Sequence, residues 1–188
     1  MTTLSDQAQV FAPVIRLDVE TLRSAPWGEL HGRSCARCGT GLSPETAVDL
    51  ARHDYKSDDW VNYVSSCRPR LCRRCVPLQL RDTASAVAAV DAEPPVPHHL
   101  SALVSRLSVA LGALIPVVEA AAERHPAGSL RRAGAEAGLS EARVRLAHPP
   151  RLGDRGRRFA HAQRLARSVV CLLDHVARLT TVPKVGAP

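Results

Sequence analysis

Aromatic side chains are scarce in this sequence: two Trp, two Tyr and two Phe make up 3% of 188 residues. Proteins that hold nucleic acid by stacking its bases need a platform of such rings, so the scarcity argues against that mode of recognition. Lysine is nearly missing as well. Only Lys56 and Lys184 stand among 25 cationic residues, and arginine supplies the rest. Such a bias, beside abundant alanine and proline, resembles the coding bias of a GC-rich bacterial genome. No unbroken run of eighteen apolar residues occurs, which predicts no transmembrane helix. The first residues, Met1-Thr2-Thr3-Leu4-Ser5-Asp6, carry neither a basic nor an apolar secretory segment, so a cytoplasmic protein is expected.

What is present suffices for a folded chain. Hydrophobic residues reach 45% and charged residues 23%, a balance that supports a core. The net charge of +7 is uneven: residues 1–80 hold ten cationic and nine acidic side chains, and residues 81–188 hold fifteen and nine. Ten arginines fall between Arg131 and Arg167, against Glu136, Glu141 and Asp154. A basic surface of this kind makes nucleic acid a permissible partner. Arginine on the outer face of a helix is equally the ordinary solvated surface of a bundle.

Six cysteines are present: Cys35, Cys38, Cys67, Cys72, Cys75 and Cys171. With no export segment in view, reduced thiols are expected rather than a disulfide scaffold. Four of them form two C-x2-C pairs, Cys35-Ala-Arg-Cys38 and Cys72-Arg-Arg-Cys75. A two-residue spacer turns both sulfurs of a pair toward one point. Two pairs then make the closed tetrahedron of soft ligands that structural zinc prefers. The sequence therefore predicts zinc on Cys35, Cys38, Cys72 and Cys75. Gly39 follows the first pair, where a zinc knuckle must bend its backbone toward the thiolates. Four thiolates on a divalent ion leave a net charge of about −2, which neighbouring guanidinium groups offset; Arg33, Arg37, Arg73 and Arg74 are placed to do so. Cys67, His31 and His53 lie within sequence reach as alternative ligands. A C-x2-C redox couple would need a surrounding βαβ pattern, which is missing. Cys171, inside Val169-Val170-Cys171-Leu172-Leu173, reads as a small core residue.

The chain divides by composition. Residues 1–30 form an N-terminal extension whose apolar stretch 10–17 is expected to cover a neighbouring face. Residues 31–80 are the cysteine module. Within it, Ser43-Pro44-Glu45-Thr46 predicts a helix start, with Ser43 as cap and Pro44 in the first position, and Ala47, Val48, Leu50 and Ala51 as the apolar side. Residues 58–64 leave helix and strand open. Residues 81–97 read as a short alanine-rich helix followed by a linker, Glu93-Pro94-Pro95-Val96-Pro97. From His98 to residue 182 the pattern is helical. Val104, Leu107, Leu111, Leu114 and Val118 recur at three and four, and Pro116 predicts a kink. Leu130, Ala133, Ala137, Val144 and Ala147 form a thinner stripe. Phe159, Ala162, Ala166, Val169, Leu173 and Val176 form a third. Three antiparallel helices would bury these stripes against one another. The expected fold is therefore mainly α: an antiparallel C-terminal bundle with a small N-terminal zinc-ribbon or zinc-knuckle module.

Two other functions have partial signatures. The segment 130–147 resembles a helix-turn-helix with Gly138-Leu139-Ser140 as its turn, in which Arg131, Arg132, Arg143 and Arg145 would contact DNA. The competing reading is one alanine-rich bundle helix, since Pro149-Pro150 cuts the second half short. His53-Asp54 with Asn62 before the second cysteine pair resembles part of an HNH nuclease, but the His-Asp order is reversed and Val76 occupies the position after the last pair. No H-x-E precedes the cysteines, so the zinc deaminase pattern is absent. His161 and His175 share a helix face and read as packed histidines rather than ligands.

Three blocks carry a family resemblance: Leu114-Ile115-Pro116-Val117-Val118-Glu119, then Glu141-Ala142-Arg143-Val144-Arg145-Leu146, then the run from Ala160-His161-Ala162-Gln163-Arg164-Leu165 to Leu173-Asp174-His175. They resemble a small helical domain of unknown function from actinobacteria, labelled as natural-product biosynthesis proteins. The resemblance spans about residues 98–180. It implies an all-helical bundle and no catalytic residues. The reading that results is a non-catalytic, zinc-binding accessory or regulatory protein with a protein or nucleic-acid partner. A DNA-binding regulator and a metal-dependent nuclease are the alternatives.

Overall fold

Four short strands are followed along the chain by four helices: β1 (Ala47–Asp49), β2 (His53–Lys56), β3 (Val64–Cys67), β4 (Arg70–Cys72), α1 (Val76–Ala89), α2 (Pro97–Ala122), α3 (Leu130–Ala147) and α4 (Arg155–Thr180). The computed structural model describes Phe11 and residues 32–50, 53–56, 64–67, 69–91, 94–150 and 154–181, with backbone alone for β2 and β3. The fold is mainly α with a small β component, as the sequence predicts. It separates into two compact units that divide between Thr83 and Ala84, inside α1.

The first unit is built on two antiparallel strand pairs. β1 pairs with β4, placing Val48 opposite Leu71, and both side chains are buried with Leu50, Val76 and Leu80. β2 pairs with β3, with His53 opposite Cys67. Here the sequence reading is corrected: Ser43-Pro44-Glu45-Thr46 is a turn, and Ala47–Asp49 is a strand rather than a helix. The Ser43 N–H donates to Thr46 Oγ1 at 3.1 Å, and the Thr46 N–H returns to the Ser43 carbonyl at 3.1 Å. Ser-Pro followed by a hydroxyl residue satisfies a turn as readily as a helix cap. The pairing of Val48 with Leu71 then decides for the strand. Of the apolar stretch 10–17 only Phe11 is described, and it is fully buried. Residues 58–63 lie outside the described residues.

The second unit is a helical bundle in which α2 packs on α3 and α4, and α3 on α4. Its helices start where the sequence offers starts. Pro97 opens α2, the Ser129 hydroxyl accepts from the Arg132 N–H, and Asp154 accepts from the Arg157 N–H at 2.9 Å. Contacts fix the directions. Arg131 reaches the Thr181 carbonyl while Arg145 reaches the Arg164 carbonyl, so α3 runs antiparallel to α4. Arg158 donates to Ser101 at one end, and His125 bonds the Leu179 carbonyl at the other, so α2 and α4 run the same way. The carbonyls of Pro94 and Pro95 accept from Arg155, and Gln163 donates to the Val90 carbonyl.

The stripes on α2 and α4 are buried as the periodicity requires. Leu107, Leu111, Leu114 and Val118 of α2 are buried and Val104 is half-buried, while Phe159, Ala162, Ala166, Val169, Leu173 and Val176 of α4 are all buried. Each fully buried leucine contributes roughly 2 kcal/mol. α2 continues through the exposed Pro116.

One expectation for this unit is qualified and another is overturned. α2 is long and apolar enough to cross a membrane by length and composition, with a window hydropathy of 1.8. Arg106 and the serines of α2 interrupt its apolar run, so no unbroken stretch marks it in the sequence. Nine of its 26 residues are buried, and the helix packs against α3 and α4; 33% of the apolar window is buried. Second, α3 buries the opposite face from the one predicted. Ala135, Leu139 and Ala142 are inside. Leu130 is 92% and Val144 56% exposed, and Ala133, Ala137 and Ala147 are exposed with them. Small residues explain the choice: Gly134 and Gly138 let α3 approach the His175 ring of α4 closely.

Candidate metal centre

Two short loops present the four sulfurs. The first follows the isolated bridge between Ser34 and Gly41. Within it the Gly39 N–H donates to the Cys35 carbonyl at 2.9 Å, and the Cys35 N–H to the Thr40 carbonyl at 2.8 Å. Gly39 holds φ at 70°, a region open to glycine at little steric cost, and this meets the expectation drawn from its place after the pair. The second loop begins at the end of β4. The Cys75 N–H donates to the Cys72 carbonyl at 2.9 Å, and α1 starts at the next residue. A bridge between Cys35 and Arg70 ties the two loops together.

This framework gathers Cys35, Cys38, Cys72 and Cys75 so that their sulfurs all lie within 4.8 Å of one another. Cys38 Sγ is 3.9 Å from Cys72 Sγ, and the Cys72 N–H points at Cys35 Sγ from 3.3 Å. Sulfurs at 2.3 Å from a tetrahedral ion are about 3.8 Å apart, close to the 3.9 Å between Cys38 and Cys72. Cys35 and Cys75 are buried, Cys72 is half-buried and Cys38 is exposed. Burial pushes the Cys35 and Cys75 thiols up. The hydroxyl and backbone of Thr40 hold Cys38 down at about 6. The cluster can hold a metal ion, and it is the one such group among the described residues.

Thr40 is a neighbour that the spacing did not point to, and Arg37, expected to offset the thiolate charge, has a further role. Arg37 donates to Gln79 Oε1 at 2.7 Å and to Asp82 Oδ2 at 2.6 Å, so it fastens the first loop to α1. Arg73 and Arg74 stay beside the sulfurs. With Thr40, Leu42 and Thr46 they line an open depression of about 520 Å³ next to Cys38 and Cys72. Of the alternative ligands, His31 lies outside the described residues, and for His53 and Cys67 the structure gives only their register on β2 and β3. Asp54 is also on β2, and Asn62 lies outside the described residues. Cys171 is half-buried on α4, and its thiol is pushed up by burial.

The arginines considered for DNA are engaged within the bundle. Arg131 donates to the Thr181 carbonyl at 3.2 Å, and Arg132 pairs with Glu136 at 2.8 Å. Arg143 pairs with Glu119 of α2. Arg145 pairs with Glu141 and donates to Ser168 Oγ at 2.5 Å. The turn that a helix-turn-helix needs is not there: α3 runs unbroken through Gly138-Leu139-Ser140. The continuous helix wins because both glycines sit on the face against α4, where packing holds them helical.

A family model described as a family of unknown function, DUF6415, matches residues 78–181. The chain belongs to this family. The match takes in most of α1 and all of α2, α3 and α4, while the four cysteines lie outside it. No curated protein and no solved structure matches the chain.

Proposed function

We propose that this chain is a non-catalytic accessory or regulatory protein whose first unit is held folded by one structural zinc ion and whose partner is another protein. The observation that carries the zinc reading is the donor set. Four cysteine sulfurs from two C-x2-C loops lie within 4.8 Å of one another. Four soft thiolates in a tetrahedron suit zinc, and they fill its shell without leaving a position for a reacting water. Binding free energy of such a site is folding free energy for a small module. The reading as an accessory rather than a DNA-binding factor rests on the arginines of α3, which hold carboxylates and carbonyls of their own bundle. A reduced, cytoplasmic setting suits the free thiols. On the sequence resemblance alone, we place the role beside natural-product biosynthesis in a GC-rich bacterium.

Metal analysis of the purified chain tests the first half, with one zinc per chain expected and none in Cys38→Ser. Retention on mixed-sequence DNA tests the second. No salt-sensitive retention is expected; strong retention at low salt, lost as salt rises, would return nucleic acid as the partner.

A further inference from the structure

The outward face of α3 has the order of an interface. Leu130, Ala133, Ala137, Ser140, Val144 and Ala147 recur at alternating spacings of three and four residues, and all six are exposed. That repeat is the seam of a helix pair. The opposite face of the same helix, with Ala135, Leu139 and Ala142, is the one buried in the bundle. We propose that this outward face binds a second copy of this chain, with the two α3 helices antiparallel about a two-fold axis.

The seam is self-complementary in that direction. Aligned antiparallel about the level of the 138–139 peptide, Leu130 meets Ala147 of the second copy, Val144 meets Ala133, and Ala137 meets Ser140. Every large residue faces a small one, and two-fold symmetry makes each layer twice. The charges beside the seam agree with the same register, since it brings Glu136 of each copy to Arg143 of the other. Arg143 also holds Glu119 and Glu136 also holds Arg132. A guanidinium has five donors and a carboxylate about four acceptor sites, so each can take a second partner. A parallel pair in register would oppose Leu130 to Leu130 and bring Glu136 against Glu141, which repels. The antiparallel copy is therefore the occupant the face selects. This goes beyond the zinc reading and does not depend on it.

Sedimentation velocity of the full chain from about 1 to about 200 µM reads the outcome as a reversible monomer–dimer equilibrium. Ala137→Glu and Ser140→Arg each place two unpaired charges in the central layers, and each should weaken its own dimer by about tenfold or more. Both positions are exposed, and circular dichroism confirms that the helices persist. Mixing the two variants brings the new carboxylate to the new guanidinium only if the helices are antiparallel, so the mixture should regain the dimer. A chain that stays monomeric over the whole range overturns the proposal. So does a dimer indifferent to Ala137→Glu, or a mixture that remains monomeric.

Discussion

Gly138 of α3 and His175 of α4 touch so closely that a Cβ on the glycine would lie 3.0 Å from the imidazole Nε2 and 3.1 Å from Cδ2. One turn away, a Cβ on Gly134 would meet the same ring at an ordinary 3.6 Å. Replacing a helical glycine by alanine gains about 1 kcal/mol of propensity. Gly134→Ala should therefore raise the melting temperature. Gly138→Ala should gain less or lose, because the ring must move, and Gly138→Val should destabilise clearly. Thermal denaturation of the three variants checks that order.

Metal affinity should fall steeply as pH drops. Cys38 is held at about 6, so it is already largely thiolate at neutral pH. Burial raises Cys35 and Cys75, which then carry protons until an ion displaces them. Zinc titration in weak buffer should release protons, and competition with a chelator between about pH 8 and pH 6 should show the affinity decreasing. A pH-independent affinity would contradict it.

The bundle should lose stability in mild acid. His161 is only 4% exposed. Burial lowers its pKa first, and the Arg164 and Arg145 charges lower it further. His175 is lowered by burial and by Arg178, with Asp174 opposing. A group whose folded pKa lies below its unfolded 6.5 contributes nothing pH-dependent above that value. Its contribution is lost as pH falls below it, because the unfolded chain takes the proton more readily. Melting curves from about pH 8 to pH 5 should decline below about 6.5. His161→Phe should flatten part of that decline.

Arg145 should matter to folding far more than Arg131. Its side chain is 21% exposed, and it bonds Ser168 Oγ at 2.5 Å, the Arg164 carbonyl at 2.9 Å and Glu141. Arg145→Ala removes a donor from partly buried acceptors and should cost about 1–2 kcal/mol. Arg131→Ala, at the exposed start of α3, should cost less than about 0.5 kcal/mol. Chemical denaturation separates the two.

The cysteine pairs were legible because a C-x2-C loop makes its own geometry within five residues, with Gly39 as local support. The stripes of α2 and α4 were legible because leucine and valine mark a face by themselves. The inner face of α3 was not, since Ala135, Gly138 and Ala142 carry little hydrophobic signal and are chosen by how near His175 can come. β1 was missed for a related reason. Ser43-Pro44 speaks for a helix when read alone, and only Leu71, distant in sequence, makes a strand of Val48. Arg37 could be seen beside the sulfurs, but its bond to Asp82 depends on where α1 passes.

The start of α1 sets a limit on how the chain can be cut. The matched family begins at residue 78, yet α1 begins at Val76, and the Gln79 N–H donates to the Cys75 carbonyl at 2.9 Å. A fragment excised at the family boundary would open inside a helical turn and strip it of its first acceptor. Cys75 thus contributes twice, a sulfur to the cysteine cluster and a carbonyl to the first turn of α1, so a cut at residue 78 removes the base on which that helix starts.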